Sequence, residues 1–230
     1  WLVCQSLFDG AWKDVPAVIC YSRDSMPRNL ENFINKDFLG EGKFISTETI
    51  TAGYNLTVIK HPFYVKNTIN LIRKLQPDVK KIALISDDRY ISAMVREDVK
   101  NVLKRDFPEL ELDLLTSIDM STEKLLDSLM DYSREVGIIY NSWFLNKTQS
   151  GNHYLADNLQ KIIYGFVDSP VFTLTEMDIE TGAFAGGYFI SAENFGKVTI
   201  QTIQQILDGM PARDVERKIG GKPRVYLNYH

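Results

Sequence analysis

The chain has 230 residues, 44% hydrophobic and 24% charged, which is the balance of an ordinary globular protein long enough for one large or two small domains. Its formal net charge is −4, with lysines and arginines scattered, and this excludes the basic face that nucleic-acid phosphates require. No apolar run reaches membrane-spanning length and Trp1-Leu2-Val3 lacks the layout of a signal peptide, so any membrane contact is expected only through segments outside these residues.

Cys4 and Cys20 are the only cysteines, too few for a disulfide scaffold. Cys20 lies in the apolar run VPAVICY, where a buried free thiol is expected. Val15 to Tyr21 reads as the first strand and Thr57 to Lys60 as another. Val65, Ile69, Ile72 and Leu75 share one face of a helix over 65–75 that Pro77 stops. Lys81 to Ser86 (KIALIS) is a buried strand, and Asp87-Asp88-Arg89 turns into a helix running to Lys104, with Ile91, Val95, Val99 and Val102 at helical spacing. A strand from Glu111 to Leu115 follows Pro108. Ser121 caps a helix from Thr122 to Arg134. The remaining elements are a strand at Val136 to Tyr140, a helix at Asn152 to Tyr164, a strand at Val171 to Leu174, an extended segment from Ala183 to Ile190, and a last helix at Ala192 to Leu207.

Strands and helices alternating at this spacing define an α/β fold with parallel strands joined by crossover helices. Ligands of such folds bind beyond the carboxyl ends of the strands. That rule selects Tyr21-Ser22-Arg23, Ser86-Asp87-Asp88, Asn141-Ser142-Trp143, Thr175-Glu176 and Gly187-Tyr188 as candidate site residues. IIYNSWF (Ile138 to Phe144) is the most informative stretch. Core packing accounts for its isoleucines, whereas the Asn-Ser-Trp mouth has the make-up of a small-molecule pocket.

Catalytic signatures are sparse. His61, His153 and His230 stand in no metal-ligand spacing and read as surface residues, and no nucleophile elbow occurs. Gly220-Gly221-Lys222 precedes Pro223 rather than a helix and reads as a turn. Asp87-Asp88 suits helix capping, since acids complement a helix N-terminus. A phosphoryl-accepting receiver domain is excluded because the third parallel strand ends in Asn141-Ser142. No catalytic residue, metal or cofactor is therefore expected. Asn55-Leu-Thr57 and Asn146-Lys-Thr148 match a glycosylation triplet that is common by chance.

Several segments together resemble a type I periplasmic solute-binding fold, in the ABC-transporter substrate-binding family of tryptophan/tyrosine type. They are DVPAVICYSRD (Asp14 to Asp24), GYNLT (Gly53 to Thr57), LIRKLQPDVKKIALISDD (Leu71 to Asp88) and GAFAGGYFISAENFGKVTIQTIQQILDGMPARDV (Gly182 to Val215), the last with its spaced glycines Gly196 and Gly209. In GYNLT the glycine precedes the Asn, a departure from the family pattern. The tail RVYLNYH, with IIYNSW and PVFTLTEMDIETGAFAGGY, resembles the same fold used as the extracytoplasmic sensor of histidine kinases.

The resemblance implies a two-lobed protein with parallel sheets flanked by helices. Residues 1–60 would form a partial first lobe joined by a returning segment at 190–230, and residues 61–189 the second lobe. Only about fourteen residues precede the strand at Val15, so the first lobe is expected to be incomplete within this chain. Glycines at Gly186-Gly187 would allow close approach to a ligand and the angle changes of a hinge.

The implied function is the ligand-sensing domain of a two-component histidine kinase at the periplasmic or extracellular face of a bacterial inner membrane. It would bind a small solute between lobes and act as a homodimer. A free or lipid-anchored transport binding protein is the alternative, and a non-binding dimerisation domain or an α/β enzyme less so. In this reading Trp143 and Tyr188 wall the solute. Ser22, Ser86, Asn141, Ser142 and Thr175 hydrogen-bond it, and Arg23 and Glu176 meet its charged ends.

Overall fold

Strands that are apolar without alternation bury both faces, and helices of parallel folds supply the cover. The computed structural model describes residues 4–37, 42–144, 162–163, 165–176 and 182–228. They fall into two units, Trp1–Pro62 with Ile190–Pro223, and Phe63–Phe189 with Arg224–His230.

The first unit begins with a short helix α1 (Gln5–Asp9) and strand β1 (Ala17–Ser22). Strand β2 (Ser25–Pro27) follows, then α2 (Leu30–Ile34), capped by the Asn29 side chain, and β3 (Phe44–Ser46), which pairs antiparallel with β2. Helix α3 (Thr47–Ile50), capped by Ser46, leads to β4 (Leu56–Lys60), which runs parallel to β1. The β1–β4 register shifts between Ile19 and Ser22, where Tyr21 takes a φ of 55°.

The chain then enters the second unit. Helix α4 (Val65–Leu75) is followed by β5 (Lys81–Ser86), α5 (Tyr90–Asp106), β6 (Glu111–Thr116), α6 (Thr122–Met130), β7 (Val136–Tyr140), β8 (Val171–Thr173) and β9 (Gly186–Phe189). Residues 190–223 return to the first unit as α7 (Ala192–Leu207), a 3-10 turn at Ala212–Asp214 and β10 (Lys218–Ile219), which completes a sheet in the order β1-β4-β10. The last strand, β11 (Arg224–Leu227), pairs antiparallel with β9 and closes a six-stranded sheet in the order β11-β9-β8-β7-β5-β6.

The second sheet has a core on each face. Ile82, Leu84, Ile139 and Phe172 pack with Val65, Ile69 and Ile72 of α4 and Val95, Val99 and Leu103 of α5. On the other face Ala83, Ile85, Ile138 and Tyr140 pack with Leu125 and Leu129 of α6, Phe184 and Trp143. Alternate residues of one strand thus serve opposite cores. Each fully buried Leu or Ile contributes roughly 1.5–3 kcal/mol. In the first unit Leu56, Val58 and Ile59 are buried, and Thr57 Oγ1 donates to the Val215 carbonyl at 3.0 Å.

The expected bounds of α4, β5, β7 and α7 coincide with the observed ones. Helix α6 stops at Met130 rather than Arg134, and the extended segment at 183–190 contracts to β9. The helix expected at 152–164 lies outside the described residues except for 162 and 163. Three expectations are corrected. Residues 224–227, assigned with 190–230 to the first lobe, pair with β9 in the second unit. Cys20 is exposed rather than buried, because β1 pairs on one edge only among the described residues. His61, read as a surface residue, is 7% exposed.

Candidate functional site

The parallel strands of the second unit end in one row. Register pairs Ser86 with Thr116, Ile85 with Tyr140, Tyr140 with Thr173, and Thr173 with Gly187. Ser86, Asn141 and Tyr188, one residue on, therefore share a level at the carboxyl ends.

Asp87 anchors this row. Its side chain is fully buried; Oδ1 accepts from the Arg89 backbone N–H at 3.0 Å and from Ser92 Oγ at 2.6 Å, and Oδ2 accepts from Arg89 Nε and Nη2 at 2.7 Å each. Burial pushes the Asp87 pKa up, but the hydrogen bonds from Arg89 and Ser92 outweigh it and hold the carboxyl below its ordinary value. The ionised carboxylate only accepts, so the Ser92 proton points to Asp87. Ser142 Oγ, 2.8 Å from Ser92 Oγ, must then be the donor of that pair. Asn141 Nδ2 donates to both hydroxyls at 3.0 Å, which leaves its Oδ1 as an acceptor outside the network among the described residues.

Arg96 Nη1 donates to Ser86 Oγ at 3.3 Å and to the Asp87 carbonyl, and burial lowers the Arg96 pKa against the pull of Asp87. The outward side of the cluster is Arg89 lying 5.4 Å over the ring of Phe144, whose side chain is exposed and whose carbonyl accepts from Ser117 Oγ at 3.1 Å. The arrangement offers a cation on an aromatic plate beside a rigid set of hydroxyl and amide groups. It has hydrogen-bonding and stacking capacity for a small polar solute.

Trp143 does not share that outward position. It is 5% exposed, packs in the core around α6, and its Nε1 donates to Thr122 Oγ1 at 3.1 Å. Its neighbour Phe144 presents the aromatic face instead. Thr175 and Glu176 are half-buried beyond β8, with Thr175 N–H donating to Thr173 Oγ1 at 3.3 Å. Gly187 serves the sheet, since a Cβ there would stand 2.1 Å from the Thr173 carbonyl oxygen of β8. Tyr188 is half-buried, edge-on to Tyr64 at 5.7 Å.

In the first unit Tyr21, Ser22 and Arg23 lie together at the carboxyl end of β1. Ser22 Oγ donates to the Arg23 carbonyl at 3.1 Å, which also accepts from Thr47 Oγ1 at 2.6 Å. The exposed Tyr21 ring stacks on Phe195 of α7 at 4.1 Å and 17°, with His61 5.1 Å away. Phe195 fits because of Gly220, whose Cβ would stand 2.0 Å from the ring. Burial lowers the His61 pKa, and the neighbouring Arg23 adds to the effect. A bulky residue at positive φ is strained; here the stack holds Tyr21 in place.

The sequence-selected residues thus form two local groups, Tyr21-Ser22-Arg23 in one unit and Ser86-Asp87-Asn141-Ser142 in the other. Sequence reasoning missed Arg89, Ser92, Phe144, His61 and Phe195. The available signal was their place just after strand ends or in the first turns of the following helices. Among the described residues no three His, Cys, Asp or Glu side chains gather as a metal set, and no helix is long and apolar enough to cross a membrane.

No protein-family model and no curated protein sequence matches the chain. Solved structures do resemble it. A conserved domain protein from Vibrio cholerae O1 biovar El Tor matches with a TM-score of 0.56 and 16% identity, over 76% of this chain and 56% of that one. The ABC domain in complex with L-Trp from Streptococcus pneumoniae matches with a TM-score of 0.54 and 18% identity, over 76% and 57%. AraP, an arabinose binding protein from Geobacillus stearothermophilus, matches with a TM-score of 0.55 and 11% identity, over 97% and 72%. The chain spans little more than half the length of the first two. At these identities the likeness is one of fold: a mixed α/β chain with parallel sheets flanked by helices, of the type I periplasmic-binding-protein kind.

Proposed function

We propose that the chain is an extracytoplasmic solute-binding domain, and that it serves as the ligand sensor of a two-component histidine kinase. The observation that carries solute binding is the Asp87–Ser92–Ser142–Asn141 network at the strand ends, flanked by Arg89 on exposed Phe144. A network whose hydroxyl protons are all directed by one buried carboxylate is pre-organised, which lowers the entropy lost on binding. The solved relatives named for L-Trp and arabinose support a small polar solute as the ligand class. This reading is one of binding without turnover: Ser92, the hydroxyl that Asp87 orients, is only 1% exposed.

The sensor role rests on the likeness of IIYNSW and RVYLNYH to kinase sensors, and a solute biases the kinase only by its difference in affinity for two signalling states. The transport reading has support of its own, because a relative is named as an ABC domain. A thermal-shift screen of amino acids and monosaccharides, followed by calorimetry, tests binding. Phe144→Ala should weaken the identified ligand about tenfold while leaving the unliganded midpoint nearly unchanged, as expected for an exposed aromatic contact. If no solute of either class shifts the midpoint, or Phe144→Ala leaves affinity untouched, this site is wrong. A kinase assay of the native-length protein with that ligand separates sensing from transport.

A further inference from the structure

Helix α7 has two apolar faces. Phe195 and Thr202 are buried, with Val198, Thr199 and Ile206 half-buried beside them, forming the face turned to its own unit. About a third of a turn away, Ile200, Ile203 and Leu207 form a second stripe at helical spacing and are 68%, 42% and 74% exposed. From Val198 to Leu207 the helix carries no charged residue. A solvated helix face normally carries charges, whereas depletion of charge around apolar residues marks the core of an interface.

We propose that this second face is a self-association surface, on which α7 packs antiparallel against α7 of a second copy of the chain about a two-fold axis near Ile203. A two-fold interface must be complementary to itself, and this stripe is. The antiparallel pairing sets Ile200 beside Leu207 of the second copy. It also brings Lys197 within a turn of Asp208 of the second copy. Lys197 and Asp208 lie on the same flank of the stripe at opposite ends of the helix, the flank that antiparallel helices bring together; parallel packing would put the Lys197 of one copy and the Asp208 of the other at opposite ends and on opposite flanks. Within the chain Lys197 is already oriented by Glu193 and Asp208 by Gln204, both on the exposed side. One four-turn helix buries less than the ~800 Å² per partner of a standard interface, so the dimer is weak and concentration-dependent. The inference is independent of any ligand.

Analytical ultracentrifugation of the 230-residue chain from about 1 to about 200 µM should show a monomer–dimer equilibrium, the range in which small interfaces populate both species. Lys197→Asp and Asp208→Lys should each weaken the dimer about five- to tenfold, and the double variant should recover it, since every dimer holds two such pairs. Ile203→Glu should remove the dimer. A chain monomeric throughout that range overturns the proposal, as does a dimer indifferent to Ile203→Glu or a double variant as weak as the singles. At native length, Ile203→Cys in a Cys4→Ser/Cys20→Ser background should form an intermolecular disulfide on mild oxidation. Its absence there would mean that other polypeptide covers the stripe and would overturn the proposal.

Discussion

At the scale of single residues, the buried Asp87 carboxylate decides most about the second unit's site. It fixes Arg89, orients Ser92, and through Ser92 sets the direction of the Ser142 and Asn141 hydrogen bonds. Asp87→Asn should lower stability by about 1–3 kcal/mol in urea unfolding, the usual worth of charge-assisted hydrogen bonds when the cation stays partly solvated. Its folded pKa lies below the ordinary carboxylate value. Its contribution is therefore present above about pH 4 and is lost as pH falls through the folded value, and Asp87→Asn should remove that acid-side slope. His61 is a second titrating group. Burial and Arg23 hold it below 6.5, so the folded state disfavours its proton. Stability from this site is complete above that value and declines as pH falls below it. His61→Gln should flatten the urea midpoint between about pH 7 and pH 5, and an unchanged slope would show that another group titrates there.

At the scale of elements, the junctions matter more than the elements themselves. The first unit places Tyr21, His61 and Phe195, from β1, the end of β4 and α7, in one stack, and the Gly220 backbone after β10 leaves room for the Phe195 ring. Gly220→Ala should cost about 1–3 kcal/mol through overpacking and change the near-ultraviolet circular dichroism of the Tyr21–Phe195 pair. Phe195→Leu in the same chain should relieve part of that cost, and strict additivity of the two substitutions would contradict the contact. The buried helices and strands were legible because their periods are unambiguous: KIALIS as a buried strand, and 65–75 and 192–207 as helices bounded by Pro77 and Asp208-Gly209. The β2–β3 pair and α2 were not, because three- to five-residue elements such as Ser25–Pro27 and Leu30–Ile34 are too short for a period to emerge.

At the scale of the whole molecule, a ligand held by either group must appear as stability. At a hundredfold excess over Kd, an identified solute should add about 2.7 kcal/mol and raise the melting midpoint by roughly 5–10 °C in a chain of this size. Differential scanning fluorimetry reads this directly, and the shift should shrink in Phe144→Ala. The two-part division follows from chain path. Strands β1, β4 and β10 form one sheet and β5 to β9 with β11 another, with crossings near Pro62, Phe189 and Pro223.

The sequence by itself determined the α/β class and the parallel sense of the buried strands, because hydrophobic period and turn residues are local properties. It also picked out Asp87, Asn141 and Ser142 before any contact was visible. Only the tertiary structure decided which aromatic faces outward. Trp143 and Phe144 are adjacent, and the neighbouring Thr122 hydroxyl, more than twenty positions away in sequence, draws the indole inward and leaves the phenyl ring to solvent. The same holds for His61, whose burial depends on Tyr21 and Phe195, and for Cys20, whose exposure depends on which strands flank β1. Side-chain orientation at a strand end is set by partners distant in sequence, and no local pattern encodes them.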